Sequence, residues 1–332
     1  MHADIKRIYP LGFPWQTQDP FLFCVYHLDH YPSGNEDMGP EASLEGRNLG
    51  SDFVIKDGWR MYHGQKVPGF PYHPHRGFET VTIVNKGYCD HSDSLGAAGR
   101  FGGGDVQWMT AGKGVQHSEM FPLLNRNAPN TLELFQIWIN LPRKNKLTEP
   151  YFKMLWHEEI PVIALEGVTL RIIAGDWSGK LADPPPPNSW AADPKNEVGI
   201  WEIHLDAGAR LDLPVTGPDT NRSIYLYEGD QLTLNDQKMN INQGADLSPG
   251  ALIRIQNGEK PASLLVLQGK PISEPVAKYG PFVMNTQEEI QDAMREYRET
   301  EFGGWPWPVA ENVHAREKGR FALYPDGHLE ER

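Results

Sequence analysis

The sequence predicts an all-β protein, with two tandem jelly-roll barrels and one helix near the C-terminus. Gly and Pro, 33 and 28 of the 332 residues, separate many short runs of strand-forming residues, as in small β-barrels. A pattern of strands and glycines occurs twice along the chain, and helical spacing is clear in one late segment. We expect a first domain at 1–145, a second at 146–279, and a helix with an extension at 280–332 that packs back on the barrels.

The two halves carry the same order of strands and turns. A strand-like run ends at a glycine, a second run follows and leads to another glycine, and an apolar strand closes the unit. Two copies of one β-domain is the simplest interpretation. In the first and second halves the matching pieces are 79–84 before Gly87 and 223–227 before Gly229, 104–109 before Gly112 and 244–247 before Gly250, and the closing strands 134–139 and 264–267.

One helix is predicted from about residue 285 to about residue 302. Thr286 and Glu289 form a capping-box pattern, and Gly303 and Gly304 end the segment. Apolar residues at helical spacing give it one apolar face, which we expect to pack in the protein, although a partner groove would use the same face. These residues are Ile290, Ala293, Met294 and Tyr297.

Two Pro-rich stretches interrupt the strand pattern. The stretch 142–150 is interpreted as a connector between the copies, and 183–187 as a loop among the opening strands of the second domain. Consecutive prolines hold an extended backbone, so 183–187 is either a surface loop or a docking site for a proline-recognising partner.

Charge and composition exclude several classes of partner. The net charge of -13 argues against direct nucleic acid binding, which needs a clustered basic face. No apolar run approaches the ~20 residues of a membrane-spanning helix. Two cysteines, Cys24 and Cys89, and the lack of an export signal favour a cytoplasmic protein.

Two short segments carry the chemistry. His73 and His75 are two residues apart, and so are His117 and Glu119. On an extended strand this spacing turns both side chains to one face, so two such pairs on adjacent strands can close around one metal ion. Iron, Mn, Ni, Co and Zn all accept such donors. The alternative, four ordinary polar residues, is the better interpretation of a single His but not of two paired sets.

The surroundings of this site can also be predicted. If the run from residue 73 is extended without a bulge, Glu79, Val81 and Ile83 share the face of the histidines.

Asp90, His91 and Asp93 follow the turn at Gly87, and we interpret them as a polar loop rather than a second metal group. In the second domain, Val215 and Gly217 stand where the first domain has His73 and His75. That domain is therefore expected to lack a metal site and to serve as a structural element, a partner surface or a relic of duplication.

Four segments closely resemble the pirin family of the cupin superfamily. They are 73–80, 104–112, 117–120 and 280–286. The resemblance covers roughly residues 10–303 and implies a bicupin fold, two double-stranded β-helix barrels with a mononuclear Fe(II) site in the N-terminal one. Mn, Ni, Co or Zn would be substitutes. The chain departs from the family in its Pro-rich insertion and in the tail after Gly304, which we expect to cover a domain seam or an oligomer contact.

The resemblance also assigns roles to residues. In this family the carboxylate ligand comes from the His-x-Glu pair, so Glu79 is expected in the second shell, with replacement ligand as the alternative. Gln107 and Gln136 are expected to be second-shell or core residues, and Glu119 to act in catalysis as well as in metal binding. The implied metal ligands are His73, His75, His117 and Glu119.

The activity implied by the resemblance is that of a quercetin 2,3-dioxygenase, an oxidoreductase that cleaves a flavonol with O2 and releases carbon monoxide. Glu119 would take the hydroxyl proton of this small aromatic substrate, and Val81, Ile83 and aromatic neighbours would form apolar walls. The alternative is a non-enzymatic, redox-sensing iron protein that binds a regulatory or metabolic protein partner. A third interpretation is a structural metal in a cupin that binds a sugar or another small molecule.

Overall fold

The computed structural model describes residues 4–332, which fall into two compact units. The unit called here the front barrel contains Tyr26–Gln136, Arg143–His157 and Glu274–Arg332. The back barrel contains the described residues up to Val25, together with Ile137–Pro142 and Glu158–Ser273. Each unit combines several separate segments of the chain. The domain boundaries that we expect at 145/146 and 279/280 therefore stay a prediction.

Strands dominate the chain, as predicted. In chain order they are β1 (Ile5–Pro10), β2 (Phe21–Tyr31), β3 (Gly69–His75), β4 (Phe78–Lys86), β5 (Tyr88–Asp93), β6 (Ala98–Gly102), β7 (Asp105–Thr110), β8 (Val115–Met120), β9 (Asn130–Asn140), β10 (Tyr151–Leu155), β11 (Val162–Leu165), β12 (Val168–Ala174), β13 (Asp176–Trp177), β14 (Lys180–Leu181), β15 (Gly199–Leu205), β16 (Arg210–Leu213), β17 (Asn221–Glu228), β18 (Gln231–Leu234), β19 (Gln237–Asn240), β20 (Gln243–Leu247), β21 (Ile253–Asn257), β22 (Ala262–Gly269), β23 (Ala277–Tyr279), β24 (Phe282–Met284), β25 (Phe321–Leu323) and β26 (Leu329–Glu331).

The front barrel is built from two antiparallel sheets. A five-stranded sheet has the order β10-β7-β4-β9-β2, and a six-stranded sheet has the order β26-β25-β6-β5-β8-β3. Both sheets supply side chains to one core, for example Val84 and Leu134 from the first and Cys89 and Phe101 from the second. Because inward-facing residues of two sheets share this core, the unit is a closed two-layer barrel.

One α-helix, α1 (Gln287–Thr300), lies near the C-terminus as predicted, and it belongs to the front barrel unit. The capping box is present: Thr286 accepts a hydrogen bond from the Glu289 backbone N–H, and the Glu289 side chain accepts from the Thr286 N–H. Ile290 and Ala293 bury the apolar face against Phe282 and neighbouring residues. No helix among residues 4–332 is long and apolar enough to span a bilayer.

The tail after Gly304 adds strands to the front barrel. β25 pairs antiparallel with β6, and β26 pairs with β25. Arg100, which is fully buried, donates hydrogen bonds to the backbone carbonyls of His314, Ala315 and Lys318. The tail is thus held to this barrel by sheet pairing and by a buried guanidinium.

The back barrel repeats the two-sheet architecture. Its seven-stranded sheet has the order β1-β20-β17-β22-β15-β12-β11, and a four-stranded sheet has the order β16-β21-β18-β19. Ile224 and Leu264 from the first sheet meet Leu213 and Ile255 from the second in one apolar core. The prediction of two barrels with a C-terminal helix is therefore confirmed.

Candidate metal centre

The two predicted ligand pairs lie on neighbouring strands. β3 pairs antiparallel with β8, and in this register His73 stands opposite His117. A register irregularity between Phe70 and His73 precedes the site. Because side chains two residues apart on a strand share a face, the pairing brings His75 and Glu119 to the same place as the two opposed histidines.

The three imidazoles converge on one point. Nε2 of His73 is 3.1 Å from Nε2 of His75 and 3.1 Å from Nε2 of His117. The three rings each offer a nitrogen within 4.8 Å of the others. Neighbouring donors around an ion with bonds of about 2.1 Å are about 3 Å apart when they sit at right angles, so the spacing suits a metal ion.

The tautomer of His73 leaves its Nε2 lone pair free for a metal. Its Nδ1 lies 2.9 Å from the Pro71 carbonyl oxygen, which only accepts hydrogen bonds, so Nδ1 carries the proton. Burial lowers the pKa of His73 to about 4. Burial also holds the pKa of His75 and of His117 well below 6.5. All three rings are therefore neutral at physiological pH, the form that binds metals.

The carboxylate of Glu119 stands beside this cluster. Its Oε2 is 3.7 Å from Nε2 of His117, and the side chain is almost fully buried. Oε1 accepts a hydrogen bond from the Thr82 hydroxyl at 2.9 Å, and Oε2 accepts one from the Gln136 amide. Burial raises the pKa of Glu119, against the opposing effects of His91 and these two hydrogen bonds.

The donor set fits a divalent cation. Within residues 4–332 no Lys or Arg forms an ion pair with Glu119, and the basic side chain beside it is the neutral imidazole of His117. A buried carboxylate beside three neutral imidazoles leaves a negative charge without a cationic partner, and this arrangement is costly unless a cation binds there. The four side chains would supply that cation with three nitrogens and one oxygen.

The predicted second-shell residues lie in different places. Gln136 contacts Glu119 directly. Gln107 on β7 stands opposite Thr82 on β4, and its buried amide has no hydrogen-bond partner among the described residues. Glu79 accepts a hydrogen bond from Thr110. Its role in the second shell stays a prediction.

The prediction that Glu79, Val81 and Ile83 share the face of the histidines is wrong. β3 ends at His75, and Gly77, at φ +85°, lies between it and β4. This break shifts the alternation by one position. Thr82 therefore points to Glu119, and the odd-numbered residues of β4 point to the opposite face. Val81 and Ile83 cannot form the walls that we expected of them.

Aromatic rings do lie beside the cluster, as expected of the neighbours of Val81 and Ile83. The Phe78 ring, on the Thr82 face of β4, lies 5.0 Å from the His75 ring. The Phe70 ring lies 6.3 Å from the His73 ring. The position of Phe78 could have been predicted from the sequence. Phe78, Thr80 and Thr82 are two residues apart, so they share one face of β4 once it is known which face Thr82 occupies.

The interpretation of Asp90, His91 and Asp93 as a polar loop is wrong as well. These residues form the buried strand β5, which pairs with β8 so that His91 stands opposite Glu119. The His91 ring lies 5.4 Å from the His117 ring, and its Nε2 is 3.2 Å from the Asp93 carboxylate. Asp90 is held by Arg100. His91 is thus a neighbour of the cluster that the sequence reasoning placed elsewhere.

Comparison with protein families gives two matches, one in each half of the chain. The family described as Pirin matches residues 15–139, and the family described as Pirin C-terminal cupin domain matches residues 200–303. Both matches agree with the two-barrel architecture.

Individual relatives point the same way. A Pseudomonas aeruginosa protein named "Putative quercetin 2,3-dioxygenase" is 39% identical over 238 residues, 70% of this chain and 80% of that protein. Pirin of Rattus norvegicus is 36% identical over 247 residues, 73% of this chain and 80% of its own. The crystal structure of a quercetin 2,3-dioxygenase from Acinetobacter baumannii superposes with a TM-score of 0.71 at 29% identity, covering 91% of this chain and 96% of that one. The chain therefore belongs to the pirin family, with two cupin domains.

Proposed function

We propose that this protein is a mononuclear iron dioxygenase that cleaves flavonols with O2. The observation that carries the proposal is the convergence of three neutral imidazoles in the front barrel, with the buried carboxylate of Glu119 3.7 Å from Nε2 of His117. Relatives named as quercetin 2,3-dioxygenases support the reaction class. The proposed ligands are His73, His75, His117 and Glu119, and Fe(II) is the proposed metal, with Mn, Ni, Co or Zn as substitutes.

The bound metal would supply redox chemistry and open positions for the substrate and O2. Glu119 has a second task in this proposal: its carboxylate takes the proton of the flavonol hydroxyl. Thr82 and Gln136 donate hydrogen bonds to its two oxygens and so fix the orientation of the carboxylate.

The surroundings suit a flat aromatic substrate. The Phe78 and Phe70 rings lie beside the His75 and His73 rings, respectively. Phe121 and Tyr62 pack around Phe70 with ring centroids 6.1 and 5.2 Å from it. Aromatic walls bury a planar ligand and exclude water from the place where Glu119 holds the transferred proton.

The test is oxygen uptake and carbon monoxide release with quercetin, using protein loaded anaerobically with Fe(II). We expect turnover in the wild type and its loss in His117→Ala. The matched control is His204→Ala, which removes an exposed histidine of the back barrel. Tight iron binding with no turnover across a flavonoid panel would contradict the enzymatic proposal and favour a redox-sensing protein that binds a protein partner.

A further inference from the structure

The back barrel contains a cavity of its own. It has a volume of about 490 Å³, within the range of small-molecule sites. Arg222, Trp201 and Gln268 line it together with apolar residues of the Pro-rich segment. This segment is one of the two places where the chain departs from the family pattern, so the cavity has a wall that the resemblance does not account for.

Arg222 is a buried cation without an anionic partner. Its side chain is only 3% exposed. Nε and Nη2 donate to the Gln268 amide oxygen at 2.9 and 2.6 Å, and no described residue accepts a hydrogen bond from Nη1. No ion pair joins Arg222 to a carboxylate within residues 4–332. A guanidinium buried in this way is unfavourable unless an anion reaches it.

Glu197 is the carboxylate that acts electrostatically on Arg222, but its hydrogen bonds go to other residues. The Glu197 carboxylate accepts hydrogen bonds from the Gly217 backbone N–H and the Thr220 hydroxyl, both at 2.9 Å. Lys270 lies 3.9 Å from its other oxygen. Burial lowers the pKa of Arg222 to about 10, so the guanidinium keeps its charge at neutral pH.

The position of Arg222 in the back barrel corresponds to a residue near the front metal site. Arg222 shares the inner face of β17 with Ile224 and Leu226, which belong to the barrel core. Counted back equally from Gly229 and Gly87, Arg222 corresponds to Thr80, which shares the face of Thr82 and Phe78. Val215, the counterpart of His73, also lines the cavity. The cavity of the back barrel therefore lies at a place equivalent to that of the metal cluster in the front barrel.

The walls determine what kind of ligand would fit. Leu181, Pro184, Pro185 and Ala192 make one side apolar. The Trp201 ring lies 5.6 Å from the Arg222 guanidinium, and its buried indole N–H has no hydrogen-bond partner among the described residues. Three carboxylates also line the cavity: Asp176 and Asp183 are exposed to solvent, and Glu197 is half-buried and hydrogen-bonded to Gly217 and Thr220. Thus apolar surface surrounds a guanidinium with an unused Nη1 and an indole N–H without a hydrogen-bond partner among the described residues.

We propose that the back barrel binds a small organic acid, with the carboxylate on Nη1 of Arg222 and an apolar or aromatic body against the Pro-rich wall. The site would act independently of the metal centre, because its residues all belong to the back barrel unit. A charge-assisted hydrogen bond at a desolvated guanidinium is among the stronger polar contacts in proteins.

The test is calorimetric titration of the full chain with benzoate, phenylacetate and hexanoate, and with uncharged benzamide. We expect saturable binding of at least one carboxylate and none of benzamide. Arg222→Met should weaken carboxylate binding about tenfold or more. The matched control, Arg254→Met, removes an exposed arginine of the same barrel and should bind like the wild type.

A second variant tests the cavity independently, in case Arg222→Met fails to fold. Val215 is 60% exposed and lines the cavity, so Val215→Trp should obstruct the cavity without disturbing the core. It should abolish carboxylate binding while the far-UV circular dichroism stays unchanged. His117→Ala should bind the carboxylates as the wild type does. The proposal fails if none of the three carboxylates binds saturably, or if Arg222→Met or Val215→Trp binds them as tightly as the wild type.

Discussion

The Thr82 hydroxyl and the Gln136 amide determine how Glu119 sits beside the imidazoles. Each donates to a different carboxylate oxygen, so together they restrict rotation of the group. Partners of this kind commonly change metal affinity by about 10- to 100-fold when they are removed. The carboxylate geometry therefore depends on residues that do not bind the metal themselves.

Thr82→Val should weaken Fe(II) binding about 10- to 100-fold, because it removes one hydrogen bond to Glu119 at nearly constant volume. Thr80→Val is the matched control: Thr80 lies on the same face of β4, and its buried hydroxyl has no hydrogen-bond partner among the described residues. Competition with a chelator of known affinity measures the effect. Equal iron affinity in the two variants would show that the Thr82 bond does not position the carboxylate.

His27 is a buried histidine outside the three-imidazole cluster. The Tyr62 hydroxyl donates to the Asp29 carboxylate at 2.6 Å, so His27 Nδ1, 2.7 Å from the same oxygen, is the donor in their contact. Burial, with a smaller effect of Arg60, lowers the pKa of His27 to about 3. His27 is thus neutral in the folded protein across the physiological range.

This pKa predicts the direction of a pH effect. From about pH 6.5 to about pH 3 the unfolded chain binds a proton at His27 that the folded chain does not, so the free energy of unfolding falls as the pH falls. Between pH 6.5 and pH 5 the loss is about 2 kcal/mol. In His27→Gln this contribution should disappear, and urea unfolding at pH 7 and pH 5 measures it. An unchanged pH dependence in the variant would mean that His27 titrates normally in the folded state.

At the scale of elements, the break between β3 and β4 explains the largest error of sequence reasoning about the site. The closeness of His73, His75 and His117 was predictable because residues two positions apart on a strand share a face. The face of Glu79 depends on whether one strand continues through residues 76 and 77, and the chain instead turns at Gly77, with φ +85°. A glycine between two runs of strand-forming residues indicates that such a turn is available, but it does not determine the phase of the next strand.

The tail is an element whose attachment depends on one buried ion pair. Arg100 binds the Asp90 carboxylate at 2.7 Å, with both side chains fully buried, and also holds carbonyls of the tail. Asp90 in turn accepts a hydrogen bond from the His314 N–H. The predicted role of the tail, to cover a domain seam or an oligomer contact, stays a prediction; the described contacts attach the tail to the front barrel's own sheet.

Arg100→Met should destabilise the protein by about 3–5 kcal/mol, because it leaves the Asp90 carboxylate buried without its partner. It should also make the chain after Gly304 sensitive to limited proteolysis. Arg295→Met, in an exposed helix pair with Asp292, should cost about 1 kcal/mol or less. Thermal unfolding and digestion of both variants provide the comparison. A tail as resistant to protease in Arg100→Met as in the wild type would contradict this role.

For the whole molecule, the sequence predicted more of the architecture than of its long-range pairing. The glycine-bounded repeat and the capping box of α1 are local signals, and both barrels and the helix follow from them. In contrast, β1 pairs with β20, joining residues such as Ile5 and Leu247. The surroundings of Arg222 likewise depend on the pairing of β17 with β20 and β22. Such features depend on contacts between residues far apart in sequence, which periodicity cannot reveal.

The central claim is that the front barrel holds one metal ion on three imidazoles and a carboxylate. Elemental analysis of anaerobically Fe(II)-loaded protein, after gel filtration, tests it most directly. The account predicts one iron per chain in the wild type and loss of that iron in His117→Ala, with circular dichroism unchanged. Iron retained at full stoichiometry in His117→Ala, or absent from the wild type, would contradict it.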